Sequence, residues 1–205
     1  NLNEHPNLTV AWRLDRPDSF TKFLRLDRAT LGTAQWFLTR TGPFTNSGAA
    51  ANMFLRSRPE LARPDLQLVC LSLANDAELW FPGLTRPQSL ELNCRVGALH
   101  PESRGWVKLR SADPLAHPLI QFNLLTAPED MATMIRGVRM AREIYAQEPV
   151  ARLLGGELFP GPGITGDAEI AAAIRARAGH RSHPVGTCAM GTGDDAVVDA
   201  RLRVR

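Results

Sequence analysis

The sequence contains little of what marks several common classes of protein. Cysteine occurs only three times in 205 residues, at Cys70, Cys94 and Cys188, and no two of these have C-x-x-C spacing. An odd number of scattered cysteines predicts neither a disulfide framework nor a zinc site. We therefore expect small buried thiols at Cys70 and Cys94, in a protein of the reducing cytoplasm.

Lysine and long apolar runs are also scarce. Lys22 and Lys108 are the only lysines, and the net charge of +3 comes from arginines spread along the chain. Without a basic stripe, we expect no nucleic-acid binding. We expect no membrane span either, because no apolar run approaches the roughly 20 residues that one requires. The first residues include no initiator methionine and no signal peptide, so we expect the chain to be a fragment.

The apolar residues that are present follow the period of β-strands in several places. Leu8, Val10, Trp12 and Leu14 alternate with polar or small residues until Arg16-Pro17-Asp18 interrupts them. Further strands are predicted by the apolar run 66–73, the alternating residues 90–98 and the short stretch 107–109, all of strand length. These segments predict the strands of a sheet.

Other segments have helical spacing. Residues 19–39 predict two short helices rather than one long one, because Gly32 interrupts the pattern. Thr126 as N-cap and Pro128 predict the start of the clearest helix, which runs to Tyr145 and packs one apolar stripe on the sheet. A further helix is predicted for 167–178, capped by Thr165 or Asp167 and ended by Gly179. The Gly- and Pro-rich residues 155–163 predict a surface loop.

The strongest motif lies near the end of the chain. Residues 180–198 read HRSHPVGTCAMGTGDDAVV, followed by Asp199 and then by Leu202, Arg203 and Val204. This stretch resembles the C-terminal signature of the glucose-methanol-choline (GMC) flavin-dependent oxidoreductases, HP-x-G-T-C-x-M-G followed by a short acidic loop and A-V-V-D-x-x-L-R-V. Because many positions match at fixed spacing, the resemblance is specific.

Three further segments resemble the same family. The opening NLNEHPN is similar to its N-L-x-D-H-P segment, with Glu4 in place of Asp. Residues 104–125 resemble a G-x-V-x-L-x-S-x-D-P segment and its continuation, with Leu124 in place of Tyr. The GPFTNSG segment departs from the family in having Asn46-Ser47 where Ser-Asn is usual, and this region borders the substrate cavity in the family.

The resemblance implies a fold and a function. The implied fold is α+β, an antiparallel-rich mixed sheet with helices packed mainly on one face. Residues 1–205 would form the substrate-binding domain, of which 98–205 resemble the family's C-terminal region, truncated before its end. The implied cofactor is FAD, the substrate a small-molecule alcohol as in the choline dehydrogenases, and His183 the base that takes the hydroxyl proton during hydride transfer.

The resemblance also implies what must come from elsewhere. The family's dinucleotide fingerprint, G-x-G-x-x-G after an N-terminal strand, is not expected in this chain, so the FAD-binding residues remain unassigned. A flavin-binding domain of the same polypeptide is therefore the implied partner. The second catalytic His or Asn of the family would lie about forty residues beyond His183, past Arg205.

Alternatives remain open for the histidines and for Cys188. His180 and His183 could share a metal ion on a helix, but Pro184 forces an extended backbone and no third ligand has suitable spacing, so no metal is expected. His5 is expected to be structural. Two other functions are a non-catalytic binding module that has kept the fold, and a hydrolase that uses Cys188 with His183.

Overall fold

The computed structural model describes residues 1–15, 19–46, 48–86 and 88–205. The predicted strand break at 16–18 and the family departure at Ser47 therefore lie outside the described residues. Within them, eight strands and three α-helices form the α+β fold expected from the sequence.

A single antiparallel sheet dominates the molecule. The strands are β1 (Pro6–Leu14), β2 (Ala49–Leu55), β3 (Leu66–Leu71), β4 (Glu91–Ala98), β5 (Trp106–Lys108), β6 (Leu119–Gln121), β7 (Leu154–Phe159) and β8 (Gly179–His180). In the main sheet they are arranged in the order β2-β3-β4-β1-β7, and β8 pairs with β1 beside this path. A separate hairpin is formed by β5 and β6.

Three predicted strands form the centre of the sheet. In the register of β3, β4 and β1, Leu68 lies opposite Val96, which in turn lies opposite Leu8. All three are at most 1% exposed, since they face the helices. Cys70 and Cys94 lie opposite each other on this face as free thiols, the second fully buried as expected and the first half-buried.

The helices are α1 (Leu26–Thr39), α2 (Pro128–Tyr145) and α3 (Asp167–Arg177). Met134 and Val138 of α2, together with Ile170 and Ile174 of α3, are at most 1% exposed and share one core with the sheet. The helix α2 lies very close to the strands, because a Cβ atom at Gly137 would be 2.5 Å from Cγ1 of Val96. Helices on one face of the sheet agree with the expected fold.

The prediction of two short helices in 19–39 was wrong in detail. A short 3-10 helix, Phe20–Leu24, is followed by the 14-residue helix α1, which continues through Gly32. This glycine is needed for packing, because a Cβ there would lie 2.8 Å from the ring of Phe44. A helical glycine can therefore mark a close contact rather than an interruption.

Both predicted N-caps were also wrong. Ala127 is the N-cap of α2, and the hydroxyl of Thr126 donates instead to the carbonyl of Asn123. Gly166 is the N-cap of α3, where the carboxylate of Glu169 accepts from the backbone N–H groups of Thr165 and Gly166. A glutamate reaching back from the first turn can replace the side chain of an N-cap residue.

The predicted loop at 155–163 is partly a strand. Gly155 and Gly156 lie in β7, which forms one edge of the sheet beside β1. The rest of the segment is held by Arg142, which forms a bidentate ion pair with Glu157 and donates to the carbonyl oxygens of Gly161 and Ile164. Glycine reduces strand propensity, but the edge position tolerates it.

Candidate active site

The segment after α3 places His180 and His183 next to the sheet. After α3, strand β8 pairs with the start of β1, so that His180 lies opposite Pro6 and Gly179 opposite Asn7. Ser182 then takes a left-handed backbone conformation, with φ of 63°, and turns the chain. The residues around His183 therefore lie next to the first residues of the chain.

A buried carboxylate fixes the backbone of His183. Both carboxylate oxygens of Glu4 accept from the backbone N–H of His183, at 3.0 and 2.9 Å, and one also accepts from the N–H of His5 at 2.8 Å. Glu4 is only 3% exposed. Since hydrogen bonds to a buried carboxylate are strong, they hold both histidine backbones in one arrangement.

The rings of His5 and His183 meet edge to face, with centroids 5.4 Å apart and planes at 78°. Burial, followed by repulsion from His183, lowers the pKa of His5 below its usual value of 6.5. The Nδ1 atom of His5 is buried and has no hydrogen-bond partner within the described residues. His5 is thus in ring contact with His183, and the structural role that the sequence predicts for it stays a prediction.

Backbone pairing continues into the Gly-Thr-Cys turn. Asn3 and Val185 exchange hydrogen bonds of 2.8 and 2.9 Å. Gly186 has φ of 93°, and a Cβ atom there would overlap the carbonyl oxygen of Asn1. The glycine of this turn is therefore required by both its backbone conformation and the adjacent N-terminal segment.

His183 lines a cleft of about 400 Å³ on the face of the sheet away from α2, which we call the open face. The apolar side chains that line it come mainly from β3 and the residues after it, while Arg95 and Arg181 supply positive charge. Its lining residues are Ala49, Asn52, Gln67, Val69, Leu71, Leu73, Ala74, Arg95, Arg181 and His183. A pocket of this size and mixed lining is suited to a small molecule.

His180 occupies a different environment. Its ring stacks on that of Phe122, with centroids 4.9 Å apart and planes at 17°, and its Nδ1 lies 3.3 Å from the hydroxyl oxygen of Ser182. It is not among the residues that line the cleft. The two histidines of the motif therefore have separate surroundings.

The structure gives little support to a hydrolase site at Cys188 and His183 or to a metal site. Cys188 is exposed, and no hydrogen bond joins it to His183 in the parts of the chain that the structure describes. Over residues 1–15, 19–46, 48–86 and 88–205, no three His, Cys, Asp or Glu side chains are grouped so as to bind a metal ion. No helix within those same ranges has the length and apolar character needed to cross a membrane.

One segment of the chain has the G-x-G-x-x-G spacing of the dinucleotide-binding fingerprint, although this fingerprint was not expected here. Residues 161–166 read GPGITG, between β7 and α3. The carboxylate of Glu169 accepts from the N–H groups of Thr165 and Gly166, at 3.1 and 3.0 Å, where a phosphate would otherwise bind. β7 also runs antiparallel to β1 at a sheet edge, whereas the fingerprint belongs to a parallel βαβ unit. This string is therefore not a pyrophosphate site.

The contacts that surround His183 join residues far apart in the sequence. Glu4 binds its backbone from 179 positions away, and Arg181 donates to Asn7 across 174 positions. The only available signal for Glu4 was its place in the segment that resembles N-L-x-D-H-P. Contacts so distant in sequence become visible only when the strands are paired.

Comparison with known proteins identifies the family. A model of the GMC oxidoreductases matches residues 101–205. The whole chain is 36% identical over 206 residues to both an alcohol dehydrogenase (acceptor) of Pseudomonas putida and an oxygen-dependent choline dehydrogenase of Rhizobium johnstonii, and spans 37% of the length of each. A formate oxidase crystal structure matches all of this chain and 40% of its own at a TM-score of 0.84 and 23% identity, which confirms the fold. The chain therefore belongs to the GMC oxidoreductases, a family of FAD flavoproteins.

Proposed function

We propose that this chain is the substrate-binding part of an FAD-dependent oxidoreductase that oxidises the CH–OH group of a small alcohol, with His183 as the base. The observation that carries the proposal is the position of His183 at the cleft on the open face, with its backbone fixed by Glu4. The alcohol class is supported by the relatives, which are named as alcohol and choline dehydrogenases.

The physical need for a base is clear. An alcohol hydroxyl is a weak acid, and loss of hydride from its carbon is easier when a nearby group accepts the hydroxyl proton. Histidine suits this task because its ordinary pKa lies near neutrality. A fixed backbone limits the positions that the imidazole of His183 can take, which favours proton transfer at one defined atom.

FAD, when bound, would supply the acceptor for the hydride. The described residues fit only the reacting side of such a cofactor, because they offer a cleft of mixed polar and apolar lining beside His183 but no amide cradle for the pyrophosphate. In the segment 161–166, the backbone N–H groups of Thr165 and Gly166 already donate to the carboxylate of Glu169. We therefore assign the phosphate-binding residues to a flavin-binding domain of the same polypeptide.

Exposed apolar side chains support such a partner. They lie in α1, in the connections between β3 and β4 and between β5 and β6, and in the C-terminal segment after the Gly-Thr-Cys turn. The most exposed, at 70–89%, are Leu31, Leu38, Leu84, Leu109, Leu115, Leu202 and Val204. Large exposed apolar groups often mark surfaces that another domain covers.

The experiment is an anaerobic absorbance spectrum of the flavin-loaded enzyme, recorded while alcohols are added. Reduction of the flavin by an alcohol would bleach its visible absorbance, and the proposal predicts this result. A holoenzyme whose flavin stays oxidised with every alcohol would favour the non-catalytic binding module instead. The separately purified chain should contain no stoichiometric flavin, since its described residues include no phosphate cradle.

A further inference from the structure

Two arginine side chains lie beside His183 in the cleft on the open face. Arg181 precedes His183 by two residues, and Arg95 lies in β4 between the buried residues Cys94 and Val96. Since side chains alternate along a strand, Arg95 points to the open face. Both arginines line the same cleft as His183.

Neither guanidinium has an acidic partner within the described parts of the chain. Arg181 Nη1 donates to the amide oxygen of Asn7 at 3.2 Å, and Arg95 Nη2 donates to that of Asn75 at 3.4 Å. The ion pairs formed over 1–15, 19–46, 48–86 and 88–205 include neither arginine. No Asp or Glu lines the cleft. Because a guanidinium has five N–H donors, both arginines retain donors for a ligand.

The two charges also disfavour each other. Burial, followed by repulsion from Arg95, lowers the pKa of Arg181. A half-buried cation without an anion is unfavourable, and groups arranged in this way are concentrated at functional sites. An anion bound in the cleft would relieve the repulsion between Arg95 and Arg181.

A glycine makes room for Arg181 on the sheet. A Cβ atom at Gly97 would lie 2.9 Å from Nη1 of Arg181. Any other residue at this position of β4 would push the guanidinium away, although glycine otherwise weakens a strand interior. The strand thus accommodates the guanidinium at the place where it faces the cleft.

The rest of the cleft suits a small organic anion. Val69, Leu71 and Leu73 provide apolar surface, and the amides of Asn52 and Gln67 provide neutral polar groups. The combination of apolar surface with two cations fits a molecule that has a short hydrocarbon chain and one negative group. The guanidinium of arginine matches the planar carboxylate particularly well, because it can donate two parallel hydrogen bonds.

We propose that Arg181 and Arg95 form an anion subsite that binds the carboxylate of a small hydroxy acid and presents its hydroxyl group to His183. The inference rests on the proposed function, because it assumes that an alcohol is oxidised on the open face. The carboxylate binds and orients the substrate and takes no part in the bond changes.

This subsite distinguishes the chain from relatives that are named for choline. Choline carries a quaternary ammonium group, which Arg95 and Arg181 would repel. Placing like charges next to each other is an effective way for a site to exclude the wrong ligand. The enzyme should therefore prefer an anionic alcohol to a neutral one, and a neutral one to choline.

The test is anaerobic flavin reduction of the holoenzyme by alcohols of different charge. The substrates are hydroxy acids of increasing chain length, the neutral alcohols of matching length, and choline. Arg181→Gln should lower the second-order reduction rate constant of the best hydroxy acid about 10- to 100-fold, the usual effect of losing a hydrogen bond between charged groups. The constant for the neutral alcohol should change less than about threefold, and Arg181→Glu should shift the preference toward choline.

Two variants serve as controls. Arg181→Lys keeps the charge without the planar fork and should retain part of the preference for the hydroxy acid. Arg175→Gln, at an exposed position of α3, removes the same charge away from the cleft and should leave the preference unchanged.

The outcomes separate the two proposals. If neutral alcohols reduce the flavin but Arg181→Gln slows neutral and anionic substrates equally, the anion subsite is wrong and the proposed function stands. An equal loss combined with an altered flavin reduction potential would show that Arg181 faces the cofactor, which also overturns the subsite. If no alcohol of any charge reduces the flavin, the proposed function fails and the subsite fails with it.

Discussion

The two faces of the central sheet differ by a shift of one residue along each strand. Leu8, Leu68 and Val96 face the helices and are at most 1% exposed, whereas their neighbours on the open face are Asn7, Gln67 and Arg95. All six belong to the same three strands. The comparison teaches that one set of strands supplies the stability of the fold from one side and the candidate chemistry from the other.

The largest expected effect on stability comes from the helix-covered face. Leu68→Ala should lower the free energy of unfolding by about 2–5 kcal/mol, because it leaves a cavity in a fully buried cluster. The adjacent Gln67→Ala, on the open face, should change it by less than about 0.5 kcal/mol. Urea unfolding of both variants measures the difference. Equal losses of unfolding free energy in the two variants would contradict the claim that the helix-covered face supplies most of the stability.

Much of this division could be predicted from the sequence. Alternation located β1 and β4, a continuous apolar run located β3, and the helical stripe located α2, because apolar patterns reflect which side chains are buried. β2 was missed because Ala49–Leu55 has little alternation, and Gly32 and Gly155 were misread because glycine also serves close packing and sheet edges. In the site, His183 was predicted from its motif, while Glu4 and Arg181 required the strand pairing.

The next effect concerns the link between the N-terminal segment and the open face. Glu4→Gln should cost about 1.5–3 kcal/mol of stability, because it replaces a buried carboxylate that accepts from the N–H groups of His5 and His183. Flavin reduction by alcohol should also slow, since the position of His183 is no longer fixed.

The conservative variant Glu4→Asp is the control, because it keeps the charge and matches the residue at this position in the segment that the chain resembles. It should recover much of both properties. If Glu4→Gln lowered stability but left the reduction rate of the folded, flavin-loaded enzyme unchanged, Glu4 would be structural only.

The smallest expected effect is a pH dependence on the open face. The pKa of His5 is lowered mainly by burial and by repulsion from His183. Glu4 partly opposes this shift, and Arg181 and His100 add to it slightly. The unfolded chain therefore takes up this proton first as the pH falls. The contribution of neutral His5 to stability is complete above its unfolded pKa, about 6.5, and is lost as the pH falls through the folded value.

Removing the imidazole should reduce this dependence. The loss of unfolding free energy between pH 7 and pH 5 should be smaller in His5→Asn than in the unaltered protein. Denaturant unfolding at both pH values gives the comparison. An identical loss in the two proteins would mean that His5 titrates alike in the folded and unfolded states.

The central claim is that the open face performs the chemistry through His183. The most direct measurement is the anaerobic rate of flavin reduction by alcohol, determined at full flavin occupancy for His183→Ala and His180→Ala. We expect His183→Ala to lower the rate by about 10²–10⁴, the usual contribution of a positioned acid–base group, and His180→Ala to lower it less than about tenfold. Reduction of His183→Ala at the unaltered rate, or equal damage from the two substitutions, would contradict the claim.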